Sequence, residues 1–396
     1  KSESIIFEDN NSDKTEVESL DSLAYVGTPC QIQAIRKATV FPGETNKDWP
    51  GNAKLLVGLF CRENWSYTCL RALIEDDYNV KLEDVEKFDI KRRRIIAYKK
   101  NGNRVEIPLE EAKPYVRINC QVCLDFSSEM ADISVGAVGT PIGWSTAIVR
   151  TKVGEDLLEG ATKGGHVEVK AIDEFKPGVS LIKKLSKEKL EENLEEAGDR
   201  EGRGIKVLHV ATKDERDMRK LNSLAKGKQF DELEFDVIDT GLCVSCGMCE
   251  AVCPIDIIKI KDEKPERTGD EKEDCNECYL TCPRTFLPLD LIEEKVGFDG
   301  THDEFMGRYT KIVGIRASDK SIQEKGQDGG AVTALLSYAL DSKLVDGAVS
   351  VIKSSEEPWR PESFLARSSK DLLRASGTLY SMSTTIKALK QGIKKE

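Results

Sequence analysis

The sequence predicts an α/β chain, a mixed sheet with flanking helices, that carries a small α+β dicluster ferredoxin-like unit. Three observations predict it. An apolar strand pattern, "LAYVG", leads straight into a helix pattern, and "AVTALLSYAL" is a second core-sized apolar run. Seven of the twelve cysteines fall within forty residues, Cys243 to Cys282, a clustering that the scattered disulfides of a secreted protein do not show. At 396 residues the chain is long enough for two or three domains. The net charge of -11 disfavours a nucleic-acid partner, which would want a basic face. No apolar run approaches the ~18 residues of a membrane span, and no signal peptide is visible, so a cytoplasmic, reducing compartment is expected.

In chain order, "AYVGTPCQIQAIRKA" puts Cys30 between an apolar strand and a helix, where packing, nucleophilic attack and metal binding are all open to it. "AKLLVGLF" is core-sized and ends just before Cys61. The amphipathic "YTCLRALIEDDY" makes Cys69 a buried helix residue. "KRRR", Lys91 to Arg94, precedes the hairpin "IIAYKKNGNRVEIPL", with its turn at Asn101-Gly102, and reads most simply as a solvated strand flank. "CQVC", Cys120 and Cys123, stands between a loop and a strand, whereas a thioredoxin-type pair would want a strand before it and a helix after it. If Cys30 and Cys61 converge on this pair, four thiolates make a cluster site. "SLIKKLSKEKLEENLEEAGD" and "ATKDERDMRKLNSLAKGKQFDE" are charged and helix-prone, a terminal helix and a linker, or a docking arm.

The clearest signal is "CVSCGMCEAVCP". Cys243, Cys246, Cys249 and Cys253, followed by Pro254, have the bacterial-ferredoxin spacing, in which three thiolates hold one cubane and the fourth crosses to a second. Gly247 lets the backbone curl around the sulfides, and a zinc knuckle would instead space paired C-x2-C units far apart. The second run, "CNECYLTCPR", supplies Cys275, Cys278 and Cys282, but its first position falls on Lys272. Its cluster is either 3Fe-4S or a 4Fe-4S completed by a remote thiol or an oxygen ligand such as Glu273 or Asp274. "DIIKIKDEKPERTGDEKED" between the runs reads as a short strand and a charged loop.

Gly329 and Gly330 immediately precede the helix pattern "AVTALLSYAL", where free N–H groups and the helix dipole favour an anion. The Gly/Ser/Thr-rich stretches "ASGTLYS" and "VGTPIGWST" are of similar character. Trp144 in the second stretch is open both to stacking near a ring and to the core. His166, His209 and His302 lie outside every motif and read as surface residues.

"VGTPCQIQAIRK", "LFCRENWSYT", "CQVCLDF", "ADISVGAVG" with "GWSTAIVRT", and "QDGGAVTALLSYAL" together resemble the beta subunit of the coenzyme F420-reducing hydrogenase. The run up to "CGMCEAVCP" is similar to the ferredoxin-extended members of that family, the F420H2 dehydrogenase input subunit and the F420-linked half of the F420-dependent sulfite reductase. The resemblance implies an α/β flavoprotein domain in which reduced F420 gives a hydride to FAD and single electrons pass to clusters. It implies a 4Fe-4S cluster on Cys30, Cys61, Cys120 and Cys123, and no catalytic acid or base. It also implies flavin contacts from Gln327, Asp328, Gly329, Gly330 and Thr333, from Ser376, Gly377 and Thr378, from Gly27, Thr28, Pro29 and Gln31, and from Gly139, Gly143, Trp144, Ser145 and Thr146. About three clusters, an electron-accepting subunit or fused domain, an oligomeric complex and a methanogenesis-type archaeal metabolism follow from it. The acidic tail of F420 makes "KRRR" a candidate for its entrance. The second reading is a ferredoxin-linked electron-transfer subunit, or a chlorophyll-type reductase, without F420 activity.

Motif order departs from that family. There the ferredoxin run comes first, then "QDGG", then "GTPCQ", then the cysteine pair and "GWST"; here the same circle is cut elsewhere, by a permuted gene or by segments numbered out of order. The expected divisions are 1–205 and 297–396 as the two parts of one F420/FAD unit, 206–235 as a charged helical linker and 236–296 as the ferredoxin-like unit. The two ends of the chain are then expected to lie close together at the surface.

Overall fold

A computed structural model describes residues 20–43, 49–211, 218–270 and 274–393. Its centre is one eight-stranded sheet of β1 Leu23–Gly27, β2 Ala53–Leu59, β3 Ile133–Gly136, β4 Ser145–Val149, β5 Val167–Ala171, β6 Lys311–Ala317, β7 Gly347–Lys353 and β8 Pro361–Ala366. The spatial order is β8-β7-β1-β2-β3-β4-β6-β5. The inner four strands, β7, β1, β2 and β3, are parallel, and the outer pairings are antiparallel. This is the mixed sheet expected from the sequence. Strands from both parts of the chain interleave in it: β7 pairs with β1, and β6 sits between β4 and β5. The chain termini lie outside the described residues, but the Leu20 N–H donates to the Gly392 carbonyl at 3.2 Å, so the first and last described segments touch.

Strands buried on both faces read as continuous apolar runs, and alternate side chains serve different cores. Ala24 points into the core beneath the helices Lys152–Lys163 and Ala331–Asp341. Its neighbours Leu23 and Tyr25 point to the other face, against the helices Pro29–Val40 and Ile386–Ile393 and against Val244 and Met248 of the ferredoxin-like unit. The iron-sulfur run is therefore packed onto the sheet face that carries Cys30.

A buried carboxylate fixes the middle of the sheet. Asp132 accepts hydrogen bonds from the Leu56 N–H at 2.8 Å, the Arg36 guanidinium at 2.8 Å and the Thr151 hydroxyl at 2.6 Å. It thereby joins β2, the helix after Cys30 and the turn after β4.

Three local expectations are corrected. The segment between the cysteine runs is a two-stranded hairpin, Ile258–Lys261 with Lys264–Arg267, because Asp262 and Glu263 take the paired left-handed conformation of a tight hairpin turn. "KRRR" is not a strand flank: Arg92 and Arg93, at φ 50° and 61°, are themselves the turn between Val85–Lys91 and Arg94–Lys99. Cys69 is half-buried rather than buried, in the first turn of a short helix capped by Ser66. The Asn101-Gly102 turn forms as expected, with Gly102 at φ 83° leading into the third strand, Arg104–Pro108. His209 and His302 are exposed, while His166 is half-buried with its ring against Tyr338.

Replacing Asp132 by alanine leaves the Arg36 charge buried without its partner, and is expected to cost about 3–5 kcal/mol of stability. A urea midpoint equal to the parent's would contradict this account of the sheet centre.

Candidate functional site

Cysteines from the two runs are sorted by the fold, not by the order in which they occur. Cys243, Cys246, Cys249 and Cys282 line one recess, together with Gly247, Met248 and Pro283. Cys253, Cys275 and Cys278 line a second, with Pro254, Ile257, Ile258 and Phe230. The last cysteine of each run thus crosses to the other run's partners. Gly247 caps the helix Met248–Val252 at φ 84°, and a Cβ there would stand 2.5 Å from the Thr384 methyl carbon, so the curl needs glycine. Backbone N–H groups already point at sulfur, from Ser245 to Cys243 and from Arg284 to Cys282, both at 3.4 Å. For the missing fourth position of the second recess, Lys272 and Glu273 lie outside the described residues, and Asp274 is exposed on a turn.

On the sheet side, Cys30 enters at the first turn of the helix Pro29–Val40, Cys61 follows β2, and Cys120 and Cys123 flank the end of the turn Ile118–Val122. The four thiols lie within electrostatic reach of one another. Burial pushes the Cys120 thiol up to about 12, with Cys123 and Cys30 adding to the effect. Cys123 goes the other way: burial would raise it, but the nearby Lys189 and Arg284 charges bring it below the ordinary thiol range. Burial raises Cys30 and Cys61 as it does Cys120, so the Lys189 and Arg284 charges favour a thiolate only at Cys123. Among the described residues no group of His, Cys, Asp or Glu is drawn together as a single ion would require. Cysteines that share a polynuclear cluster stand apart, with the inorganic core between them.

Several of the residues that build this surrounding carry no motif. The helix Val179–Gly202 lays Lys189 and Asn193, one turn apart, over the cysteines. Lys189 Nζ donates to the Cys61 and Asp125 carbonyls at 2.7 and 2.8 Å, and Asn193 Nδ2 donates to the Cys120 and Cys123 carbonyls at 2.8 and 2.6 Å. Arg117 donates to the Ser245 hydroxyl at 2.7 Å and pairs with Glu263 at 2.6 Å. Lys37 Nζ reaches the Cys282 carbonyl at 2.6 Å, and its complete burial lowers its pKa to about 7. Only the one-turn spacing of Lys189 and Asn193 is present in the sequence as a signal; the rest are long-range contacts.

The glycine motif is tied to the sheet and to the three-stranded sheet beside it. Gly330 caps the helix Ala331–Asp341 at φ 66°, and the Gly329 N–H donates to the Ser145 hydroxyl at 3.2 Å. Gln327 donates to the Asp89 carboxylate at 2.9 Å, and Asp328 lies 3.9 Å from Lys91. Thr333 and Ser376 share a hydroxyl contact at 3.2 Å; Gly377 adopts φ 104°, where a Cβ would meet only the Lys325 carbonyl oxygen at 3.8 Å, and Thr378 is half-buried beside it. Gly139 and Gly143 both adopt positive φ, and the Thr146 hydroxyl donates to the Val138 carbonyl at 2.7 Å. Trp144 is buried in a stack, with Phe175 at 5.1 Å and the Arg316 guanidinium over its ring at 4.6 Å.

Around Cys30, the Thr28 hydroxyl lies 3.2 Å from the thiol, Pro29 opens the helix, and Gln31 receives the Thr28 N–H and donates to the Ser383 carbonyl at 2.9 Å. At Gly27 a Cβ would stand 2.6 Å from the Tyr25 ring. The segment from Ser376 to Thr385 joins the two regions: it starts at Thr333, pairs with Trp65 through Tyr380 and Met382, and ends against Gln31. Midway along it the Ser381 hydroxyl and the neighbouring Asn64 amide oxygen are buried without hydrogen-bond partners among the described residues. These unmet polar atoms are compatible with a polar, planar cofactor edge.

Residues 20–175 match the family model for the C terminus of the coenzyme F420 hydrogenase/dehydrogenase beta subunit, and residues 312–390 match the model for its N terminus. Residues 236–259 match a 4Fe-4S binding domain. The two beta-subunit models thus occur in reversed order along this chain. Among curated proteins, the chain is 42% identical over 186 residues to the coenzyme F420 hydrogenase subunit beta of Methanosarcina barkeri, covering 47% of this chain and 64% of that protein. It is 38% identical over 183 residues to the coenzyme F420-dependent sulfite reductase of Methanocaldococcus jannaschii, covering 43% and 27%. It is 31% identical over 179 residues to one subunit of the F(420)H(2) dehydrogenase of Methanosarcina mazei, covering 45% and 49%. The chain spans just under two thirds of the length of the hydrogenase subunits it matches. A solved F420-reducing [NiFe] hydrogenase complex from Methanosarcina barkeri contains a chain 42% identical to this one, with a TM-score of 0.45, covering 47% of this chain and 63% of that one.

The grouping of the recesses makes a specific prediction. Cys282→Ser is expected to lose the same paramagnetic signal as Cys246→Ser, and about four iron atoms per chain, while Cys278→Ser loses a different signal. If Cys282→Ser instead matched Cys278→Ser, the crossing would be wrong.

Proposed function

Because the chain belongs to the coenzyme F420 hydrogenase/dehydrogenase beta-subunit family, we propose that it oxidises reduced F420 at a bound FAD and passes single electrons through three iron-sulfur clusters to a protein acceptor. The observation that carries this reading is the unbroken run of packed residues from the Gly329-Gly330 turn, along Ser376 to Thr385, to Cys30 and on to the ferredoxin-like recess. A deazaflavin exchanges hydride and a cluster takes one electron, so a flavin between them supplies the change from two electrons to one.

In this reading the chain binds, orients and excludes water. The Gly329 and Gly330 amides, at the start of the helix Ala331–Asp341, would receive the diphosphate, with Ser145 and Thr333 beside them. Gln327 and Asp328, held by Asp89 and Lys91, would set the turn. Thr28 and Gln31 would bring the Cys30 site up to the flavin edge, and Cys61, Cys120 and Cys123 would complete it. Lys91, which reaches the glycine turn, and the exposed Arg92 to Arg94 would meet the acidic tail of F420. The working unit is read as 1–205 with 297–396, joined through the 206–235 linker to the ferredoxin-like 236–296. The acceptor is read as a partner subunit or fused module of hydrogenase, sulfite reductase, quinone or heterodisulfide reductase type, in a cytoplasmic complex.

Reconstituted protein is expected to hold FAD through gel filtration and to oxidise reduced F420 with a viologen dye. Cluster absorbance without retained flavin would sink this reading. Gln327→Ala with Asp328→Ala is expected to lower flavin occupancy at least tenfold without loss of iron, read from the ratio of flavin to iron.

A further inference from the structure

Arg284 follows Cys282 and Pro283 directly in the chain and is only 3% exposed. Among the described residues its Nε and Nη2 have no hydrogen-bond partner, an unusual state for a buried guanidinium. The charges that act on it most are thiols, and they come from two places. Its backbone N–H meets Cys282 Sγ of the first ferredoxin recess at 3.4 Å, and its guanidinium is within electrostatic reach of Cys123 and Cys30 of the sheet-side set. The other cations serve one side each and are satisfied by oxygen: Lys189 and its carbonyls at the sheet-side set, Lys37 at Cys282, Arg117 at Ser245.

We propose that Arg284 is a positioning residue that couples two cluster sites, its one fixed positive charge being shared between Cys282 and the Cys30/Cys123 pair. This rests on the reading that both sites hold clusters. A positive charge in a poorly screened interior favours the more negative, reduced form of either site. The guanidinium stays protonated, so an electron added on either side forms or breaks no bond and moves no proton. Its Nε and Nη2 donors, unpaired among the described residues, lie on one planar group that carries the charge.

The test is a redox titration of the anaerobically reconstituted full chain, followed by electron paramagnetic resonance, with iron counted in every sample. In Arg284→Gln the reduction equilibrium of both the sheet-side site and the Cys243/Cys246/Cys249/Cys282 site is expected to fall at least tenfold, about 59 mV for one electron. The Cys253/Cys275/Cys278 site is expected to stay unchanged. Arg284→Lys is expected to keep both sites within that tenfold. A shift at one site only, a shift at neither, a larger drop in Arg284→Lys, or loss of iron from both variants would overturn the coupling. Parent protein that binds no iron would instead overturn the proposed function on which it rests.

Discussion

Thiol burial is the constraint on which the rest of this molecule depends. Eleven of the twelve cysteines lie in three groups inside the protein, and as thiolates they would place concentrated negative charge where water cannot screen it. The fold answers with fixed positive groups and with backbone N–H donors. Lys189, Arg284, Arg117 and Lys37 come from four separate parts of the chain, and each is buried or half-buried at a cysteine loop. Much of the tertiary structure is what it takes to deliver them there.

That requirement explains the association of the two layers. The cysteine-rich unit builds one core with its adjoining helices, around Phe230, Leu233, Ile258 and Tyr279. Here Val244, Met248 and Val252 share a core with Tyr25, Ile32 and Ile35, so the unit is continuous with the sheet rather than tethered to it. The same contact brings Cys246 near Cys30, with the Tyr25 hydroxyl within reach of both and bonded to Thr385. Short separation between these cysteine groups is a by-product of the packing that keeps the thiols dry.

The local chemistry is legible in the sequence and the long-range chemistry is not. Cysteine spacing, the Asn101-Gly102 turn and the glycine pair ahead of a helix each act within a few residues, so they read directly. The strand order does not, because β7 finds β1 across most of the chain. "SLIKKLSKEKLEENLEEAGD" looks like a solvated helix because its composition is charged, yet Lys189 is 2% exposed and spends its charge on two carbonyls. "KRRR" reads as a flank because arginines are poor turn formers by propensity, and only its backbone angles reveal the turn. Arg284 follows a cysteine ligand and carries no periodic or motif signal, so its burial between two sites emerges only in three dimensions.

The interleaving of the sheet also governs how the molecule can come into being. As the polypeptide leaves the ribosome, β1 and β2 can pair at once, but the other edge of β1 waits for β7, after the whole cysteine-rich unit has been synthesised. An unpaired apolar edge is a hazard for mispairing in a nascent chain. The cysteine groups, in contrast, are complete by Cys282, before β6, β7 and β8 exist. In the proposed reading, metal delivery can therefore precede closure of the sheet, and the late strands would act as the seal over a centre assembled while it was still accessible.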